Sequence, residues 1–158
     1  MRNSIILFIF FFLIWSPICV YAGGLCTKGT VIIKPTKNIL KQFKREKTTY
    51  IIKDEFDLRG GTLIIPSNCC LLFEGGLLKN GTIVFNDTRL IAEVTPIFLN
   101  LNEANGQLNN TEIIVEWFNC TINNTEEVNQ VALNVLTPLA IRSRSNIYFA
   151  SKGGSSDK

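Results

Sequence analysis

The chain has 158 residues, of which 46% are hydrophobic, 16 are basic and 13 are acidic, and none is histidine. The nearly balanced charge gives no global signal for nucleic-acid binding. The absence of histidine excludes catalytic triads and metal sites that need imidazole, and no C-x-x-C spacing occurs, so we predict neither a metal nor a cofactor.

Residues 1–22 have the pattern of a secretory signal peptide. Arg2 supplies the positive charge, Ile5–Trp15 the apolar run, and Val20-Tyr21-Ala22 the small-residue exit before Gly23. A retained membrane anchor is the alternative, but Pro17 interrupts the apolar stretch and favours cleavage. We predict export to the periplasm, the cell surface or the medium, with no membrane attachment after cleavage.

Residues 23–49 form a basic segment, which we predict to be an N-terminal cap. Thr36 is placed to cap a short helix whose Ile39, Leu40 and Phe43 share one face. Two interpretations remain open: contact with an anionic surface or polysaccharide, or a solvated helix that covers the open end of a sheet. Residues 28–53 contain a single acidic side chain, Glu46, and eight basic ones: Lys28, Lys34, Lys37, Lys41, Lys44, Arg45, Lys47 and Lys53.

Residues 50–118 consist of short apolar bursts separated by turn residues, among them Asn80-Gly81 and Asn86-Asp87, which predicts short β-strands that end at these turns. Gly61-Thr62-Leu63-Ile64-Ile65 returns 20 residues later as Gly81-Thr82-Ile83-Val84-Phe85. A period near 20 is the size of one coil of a β-solenoid, in which each coil buries its inward side chains against its neighbours. A β-sandwich is the alternative, but it requires no near-identical pentapeptides at one spacing.

Carboxylates and cysteines are the remaining reactive groups. Asp57 and Glu55 are candidate catalytic acids, because glycosidases use paired carboxylates and alternation along a strand puts these two on one face. The alternative is that they are surface residues flanking a buried Phe56. After signal cleavage four cysteines remain, Cys26, Cys69, Cys70 and Cys120, and they allow three disulfide pairings. Adjacent Cys69 and Cys70 point to opposite faces of a strand, so at most one faces the core.

The pattern of residues 119–158 predicts a helix followed by a strand. Asn124 and Glu127 have capping-box spacing, Thr137-Pro138 predicts the end of the helix, and Asn146–Phe149 predicts a strand. The predicted apolar face of the helix consists of Val128, Val131, Val135 and Leu136. Trp117 and Tyr148 are candidate carbohydrate-binding aromatics, and a structural plug between the two β segments is the alternative.

Four motifs between residues 48 and 118 resemble a known family. The segments are Tyr50–Leu58, Gly61–Pro66, Leu72–Gly76 and Leu78–Ile83. They resemble the N-terminal region of exported bacterial right-handed parallel β-helix proteins of the pectate-lyase superfamily. The resemblance implies an all-β fold of short right-handed parallel coils, with a cap segment and one C-terminal helix. Residues 119–158, with their helix and strand, resemble the start of the superfamily's main β-helix domain. Family members place their catalytic residues on later coils, so the resemblance implies a truncated chain that lacks them.

Three functions follow as hypotheses. The first is an exported non-catalytic β-helix module, the N-terminal piece of a protein that contacts polysaccharide at the surface or in the periplasm. The second is a polysaccharide lyase or glycoside hydrolase of the same superfamily. The third is a structural adhesin that self-associates through exposed solenoid ends.

Overall fold

A computed structural model describes residues 28–150. The predicted signal peptide, Cys26 and the tail from Ser151 onward lie outside the described residues. The nine strands, two 3₁₀ helices and one α-helix of the described part are, in chain order, β1 Gly29–Ile32, a 3₁₀ helix Ile39–Gln42, β2 Thr48–Ile52, β3 Glu55–Asp57, β4 Thr62–Ile64, β5 Cys70–Phe73, β6 Leu77–Ile91, β7 Phe98–Leu108, β8 Glu112–Ile114, a 3₁₀ helix Val115–Phe118, α1 Glu126–Ser143 and β9 Asn146–Tyr148.

The strands form a parallel β-solenoid of about four coils, and each coil has three sides. Side one contains β1, β2, β5 and the end of β6; side two contains β3 with the starts of β6 and β7; side three contains β4 with the middle of β6 and β7. Every strand pair in the described residues is parallel, which excludes the antiparallel β-sandwich. The predicted fold class, all-β parallel coils with one C-terminal helix, is therefore confirmed.

Corner residues let one strand pass around two sides of a coil. The sequence predicts breaks at Asn80-Gly81 and Asn86-Asp87, yet both lie inside the 15-residue strand β6. Asn80 and Asp87 have left-handed backbone angles, with φ of 56° and 49°. Asn and Asp tolerate this conformation because their short side chains can bond locally. These residues bend the chain while the pairing continues on either side of them.

The repeated pentapeptides stack in register, as the period predicts. Leu63 pairs with Ile83, and Ile83 pairs with Ala104 of the next coil. All three side chains point inward and are buried. A fully buried Leu or Ile side chain contributes about 1.5–3 kcal/mol relative to exposure, so each such ladder is a main source of stability.

Glycine opens both pentapeptides because two coils approach closely there. A Cβ atom on Gly81 would lie 2.6 Å from the backbone oxygen of Gly61 and 2.6 Å from Cβ of Leu58. No side chain can be accommodated at that distance. The glycine of the repeat is therefore required by the close stacking of coils, just as the apolar residues are required by the core.

The basic segment contributes the first strand of the solenoid and a cap. Strand β1 pairs with β2, so the stacked strands begin at Gly29. The predicted helix is a 3₁₀ helix, Ile39–Gln42, that begins after Asn38, and Thr36 instead accepts a hydrogen bond from Nε2 of Gln42 at 3.2 Å. The prediction that Thr36 caps a helix was wrong, because the Thr36 hydroxyl binds the end of that turn.

Tyr50, on β2, fastens this cap to the first full coil. Its hydroxyl donates to the carbonyl oxygen of Arg45 at 2.9 Å and accepts from the Arg45 N–H at 2.8 Å. The Tyr50 ring also lies 4.7 Å from the ring of Phe43, centroid to centroid. Burial raises the pKa of Tyr50, although its hydrogen bonds to the backbone act in the other direction.

Helix α1 covers the last coil on the side of β7. Its residues Ala132, Leu136, Leu139 and Ala140 are buried. The Arg142 guanidinium donates to the carbonyl oxygens of Ala104 at 2.6 Å and Gly106 at 3.3 Å. These carbonyls belong to β7, so the helix supplies the hydrogen bonds that a further strand would otherwise make.

Both predicted ends of α1 were wrong. Thr125, not Asn124, is the N-cap, and its hydroxyl accepts from the Val128 N–H at 3.4 Å. Pro138 lies inside the helix, which continues to Ser143. Buried Leu136 and Leu139 flank the proline, and their packing offsets the missing hydrogen bond. Val128 and Val131 of the predicted apolar face are exposed.

Candidate functional site

A groove lies where the cap segment passes over the first full coil. Residues 35–40 form one wall and residues 55–59 form the other, and the groove has a volume of about 570 Å³. Both predicted catalytic candidates, Glu55 and Asp57, line it, together with Lys37 and Arg59. A volume of this size is within the range of about 300–1,000 Å³ that is usual for ligand sites.

Asp57 is held by hydrogen bonds from its own corner and from the next coil. One carboxylate oxygen accepts from the Arg59 N–H at 2.7 Å, and the other accepts from Nδ2 of Asn80 at 3.0 Å. The Arg59 N–H, followed by the Asn80 amide, lowers the pKa of Asp57 below its usual value. Asp57 is therefore an ionised acceptor that fixes the corner at Arg59-Gly60.

Glu55 shares the exposed face of β3 with Asp57, as alternation predicts, because Phe56 between them is buried. Its carboxylate forms a salt bridge with the Lys79 ammonium on the next coil. Hydrogen bonding to Glu55 raises the pKa of Lys79. Both carboxylates of the groove thus have partners on the adjacent coil.

This arrangement suits binding better than acid–base chemistry. A glycosidase needs one carboxylic acid whose pKa is raised, so that it carries a proton to donate. In this groove the pKa of Asp57 is lowered, and Glu55 is paired with a cation. The cations Lys37 and Arg59 form no salt bridge to any residue between 28 and 150.

The basic segment places its charges on the surface of the cap, and Lys37 among them lines the groove. Its apolar side chains Ile39 and Phe43 are buried in the core. Its basic side chains are exposed, and none of them forms a salt bridge within the described part of the chain: Lys28, Lys34, Lys37, Lys41, Lys44, Arg45 and Lys47. The segment therefore covers the end of the solenoid with one face and presents a positive surface, the basic face, with the other.

The two candidate sugar-binding aromatics lie in different environments. Trp117 is only 4% exposed, and its Nε1–H donates to the carbonyl oxygen of Glu93 at 2.9 Å. Trp117 is thus a core residue that offers no ring face to a ligand, which corresponds to the plug alternative. Tyr148 on β9 is 45% exposed, so it alone of the pair can contact a partner.

The cysteines within the described residues are free thiols in buried positions. Cys69 belongs to the core, and its thiol lies 3.3 Å from the carbonyl oxygen of Arg45. Cys70 is also buried, on the outer face, where Thr49 and Arg89 are its register neighbours. Burial raises the pKa of Cys70 to about 11, so this thiol is protonated and unreactive at neutral pH.

Sequence reasoning missed the residues that turn two surface acids into a groove. Lys37, Asn38 and Arg59 come together with Glu55 and Asp57 only because the loop before the 3₁₀ helix folds over β3. No periodicity in residues 33–38 indicates where this loop lies. The basic composition indicated a charged surface but not which carboxylates it would adjoin.

No family model, curated protein or solved structure matches this chain. Residues 28–150 contain no group of three cysteine or acidic side chains arranged to hold a metal ion. The same residues include no helix that combines the length and the apolar character needed to cross a bilayer.

Proposed function

We propose that this chain is an exported, non-catalytic β-solenoid module that binds an acidic polysaccharide at its basic N-terminal end. The observation that carries the proposal is the groove between residues 35–40 and 55–59, whose cations Lys37 and Arg59 form no salt bridge within residues 28–150. In the groove, polar groups of the backbone and side chains can form hydrogen bonds with the hydroxyls of a sugar. Lys37 and Arg59 can form charge-assisted hydrogen bonds with carboxylates or sulfates of the polymer.

The distribution of charge supports an extended ligand. Between residues 28 and 47 the chain has seven basic side chains and one acid, Glu46. These charges lie along the surface of the cap and not in one deep pocket, so they suit a polymer with many anionic groups. Such a field raises the association rate and weakens as salt is added.

A polysaccharide suits this end better than a nucleic acid does. Single-stranded nucleic acids bind through aromatic side chains on which bases stack. The aromatic residues of the basic end, Phe43, Tyr50 and Phe56, are all buried. Predicted export would also bring the chain to glycans of the envelope or the medium.

The architecture of the coils supports a proposal about the family of this chain. We infer that the chain corresponds to the N-terminal coils of a pectate-lyase-superfamily protein of bacterial origin. Three-sided parallel coils with a period near 20 residues support this inference. Polysaccharide is the substrate class that the resemblance implies.

Binding of the purified protein to polygalacturonate tests the proposal directly. Isothermal titration at low salt should show binding to polygalacturonate, weaker binding to a neutral glucan, and weak binding to single-stranded DNA of similar charge. The variant Lys37→Gln/Lys41→Gln/Arg59→Gln should lose about tenfold in affinity, equivalent to about 1.4 kcal/mol. Arg144→Gln, an exposed charge at the opposite end, is the matched control and should bind within about twofold of the parent.

Equal losses in the triple variant and in Arg144→Gln would contradict the proposed site. Tighter binding to DNA than to polygalacturonate would contradict the ligand class. Product assays on the same samples address catalysis: release of unsaturated or reducing ends that Asp57→Asn abolishes would establish the lyase or hydrolase alternative instead.

A further inference from the structure

Two strands near the ends of the described β-structure have a free edge: β1, the first strand of side one, and β9, in the separate two-stranded sheet β8–β9. At the N-terminal end, β1 pairs only with β2 among the described residues. At the C-terminal end, β9 pairs only with β8. Each terminal strand therefore has one edge whose N–H and C=O groups face away from the rest of residues 28–150, and such an edge can accept another strand.

The helices leave these two edges accessible. The first 3₁₀ helix contacts β4, and α1 contacts β7, so both helices cover sides two and three. Strands β8 and β9 form a two-stranded sheet of their own, and within residues 28–150 the main contacts of β9 are with β8. Neither helix packs extensively on β9, so its second edge is open to a further strand.

Apolar side chains at both edges lack the layer that would cover them. Ile147 pairs with the fully buried, inward-facing Ile113, yet it is 37% exposed. On the outer face of the same end, Tyr148 is exposed, and on β1 Ile32 is 50% exposed. Inward-facing Ile147 shows that the core could continue through one more coil.

The two ends have charges of opposite sign. Residues 28–47 contain seven basic side chains and one acid, whereas residues 111–150 contain three exposed acids, Glu112, Glu126 and Glu127, one buried acid, Glu116, and two exposed bases, Arg142 and Arg144. Two basic ends would repel each other, and two acidic ends would gain no electrostatic attraction. The basic end of one copy and the acidic end of another attract each other.

We infer that the chain binds a second copy of itself head to tail, with β9 of one protomer pairing in parallel with β1 of its partner. In this register Ile147 lies beside Val31 in the continuing core, and Tyr148 lies beside Ile32 on the outer face. The contact is heterologous, because different surfaces of the two copies meet. Such contacts extend into open chains unless rotation closes them into a ring.

Sedimentation velocity of the purified protein tests this inference. The weight-average mass should rise continuously with protein concentration, without a plateau at the dimer, and should fall as salt screens the opposite charges. Ile32→Lys and Tyr148→Lys, each at an exposed position on one edge, should both remain monomeric. Ile64→Lys changes a similarly exposed isoleucine on β4 of side three, a strand that belongs to neither proposed edge, so it is the matched control and should associate like the parent.

Mixing the two edge variants distinguishes head-to-tail pairing from symmetric pairing. Ile32→Lys keeps an intact β9 edge, and Tyr148→Lys keeps an intact β1 edge, so an equimolar mixture should form one-to-one dimers that grow no further. Self-association of Ile32→Lys alone would show β9-to-β9 pairing and overturn the inference. A parent that stays monomeric at every concentration, or an Ile64→Lys control that also fails to associate, would overturn it as well. Circular dichroism of each variant confirms that the coils are folded.

Discussion

The two ends of this solenoid are covered in different ways. The N-terminal cap is a four-residue 3₁₀ helix, and it is fastened by a residue of the coil beneath it, Tyr50, whose hydroxyl binds both backbone groups of Arg45. The C-terminal cap is the 18-residue helix α1, which supplies its own apolar residues and satisfies edge carbonyls of β7 through Arg142.

The difference shows that a solenoid end can be covered with little helix or with much. A short cap has few apolar residues of its own, so it depends on single contacts made by the coil. A long cap carries enough buried surface to stabilise itself, and it tolerates an interior proline. Substitutions at the two ends should therefore lower the free energy of unfolding by different amounts. They should also affect different lengths of the chain.

The largest effect is expected at the C-terminal cap. Leu136→Ala removes a fully buried side chain from α1 and should lower the free energy of unfolding by about 2–5 kcal/mol. Val131→Ala on the same helix removes a side chain that is 54% exposed and should cost less than about 1 kcal/mol. Urea denaturation followed by circular dichroism measures both. Similar losses in the two variants would show that α1 does not cover the coil through Leu136.

A smaller effect is expected at the N-terminal cap. Tyr50→Phe keeps the ring against Phe43 but removes the hydroxyl that binds Arg45, so it should lower the free energy of unfolding by about 1–3 kcal/mol. Tyr148→Phe, at an exposed hydroxyl, is the control and should change it by less than about 0.5 kcal/mol. Native-state hydrogen exchange should show faster exchange in residues 39–47 of Tyr50→Phe, while exchange in α1 stays unchanged. Faster exchange in α1 as well would contradict independent caps.

The smallest effect concerns the corner at Asp57, which lies near the N-terminal cap. The pKa of Asp57 is lower in the folded chain than in the unfolded chain, where it is about 3.9. Its stabilisation is therefore complete above the unfolded pKa and is lost as the pH falls through the folded pKa. The melting temperature should fall less on acidification in Asp57→Asn than in the parent. Asp54→Asn, at an exposed acid outside the turn, serves as the control, and an identical fall in all three would refute the role of Asp57.

Part of the candidate site could be predicted from sequence. Alternation along a strand correctly placed Glu55 and Asp57 on one face with Phe56 between them, because that relation is local. Their partners could not be predicted, since Lys79 and Asn80 lie on the next coil and meet them only through the register of stacking. The opposite wall of the groove comes from a loop with no periodic pattern, so its position also depended on packing.

The sequence by itself determined the period, the inward ladder and the closeness of successive coils, because these depend on residues that recur at one spacing. Leu63 and Ile83, with Gly61 and Gly81 beside them, show this directly. Only the tertiary structure decided where the chain bends without breaking, how far α1 extends past Pro138, and which cations adjoin Asp57. The physical reason is that left-handed corners, tolerated prolines and grooves are decided by contacts between coils, and local preference is too weak to specify them.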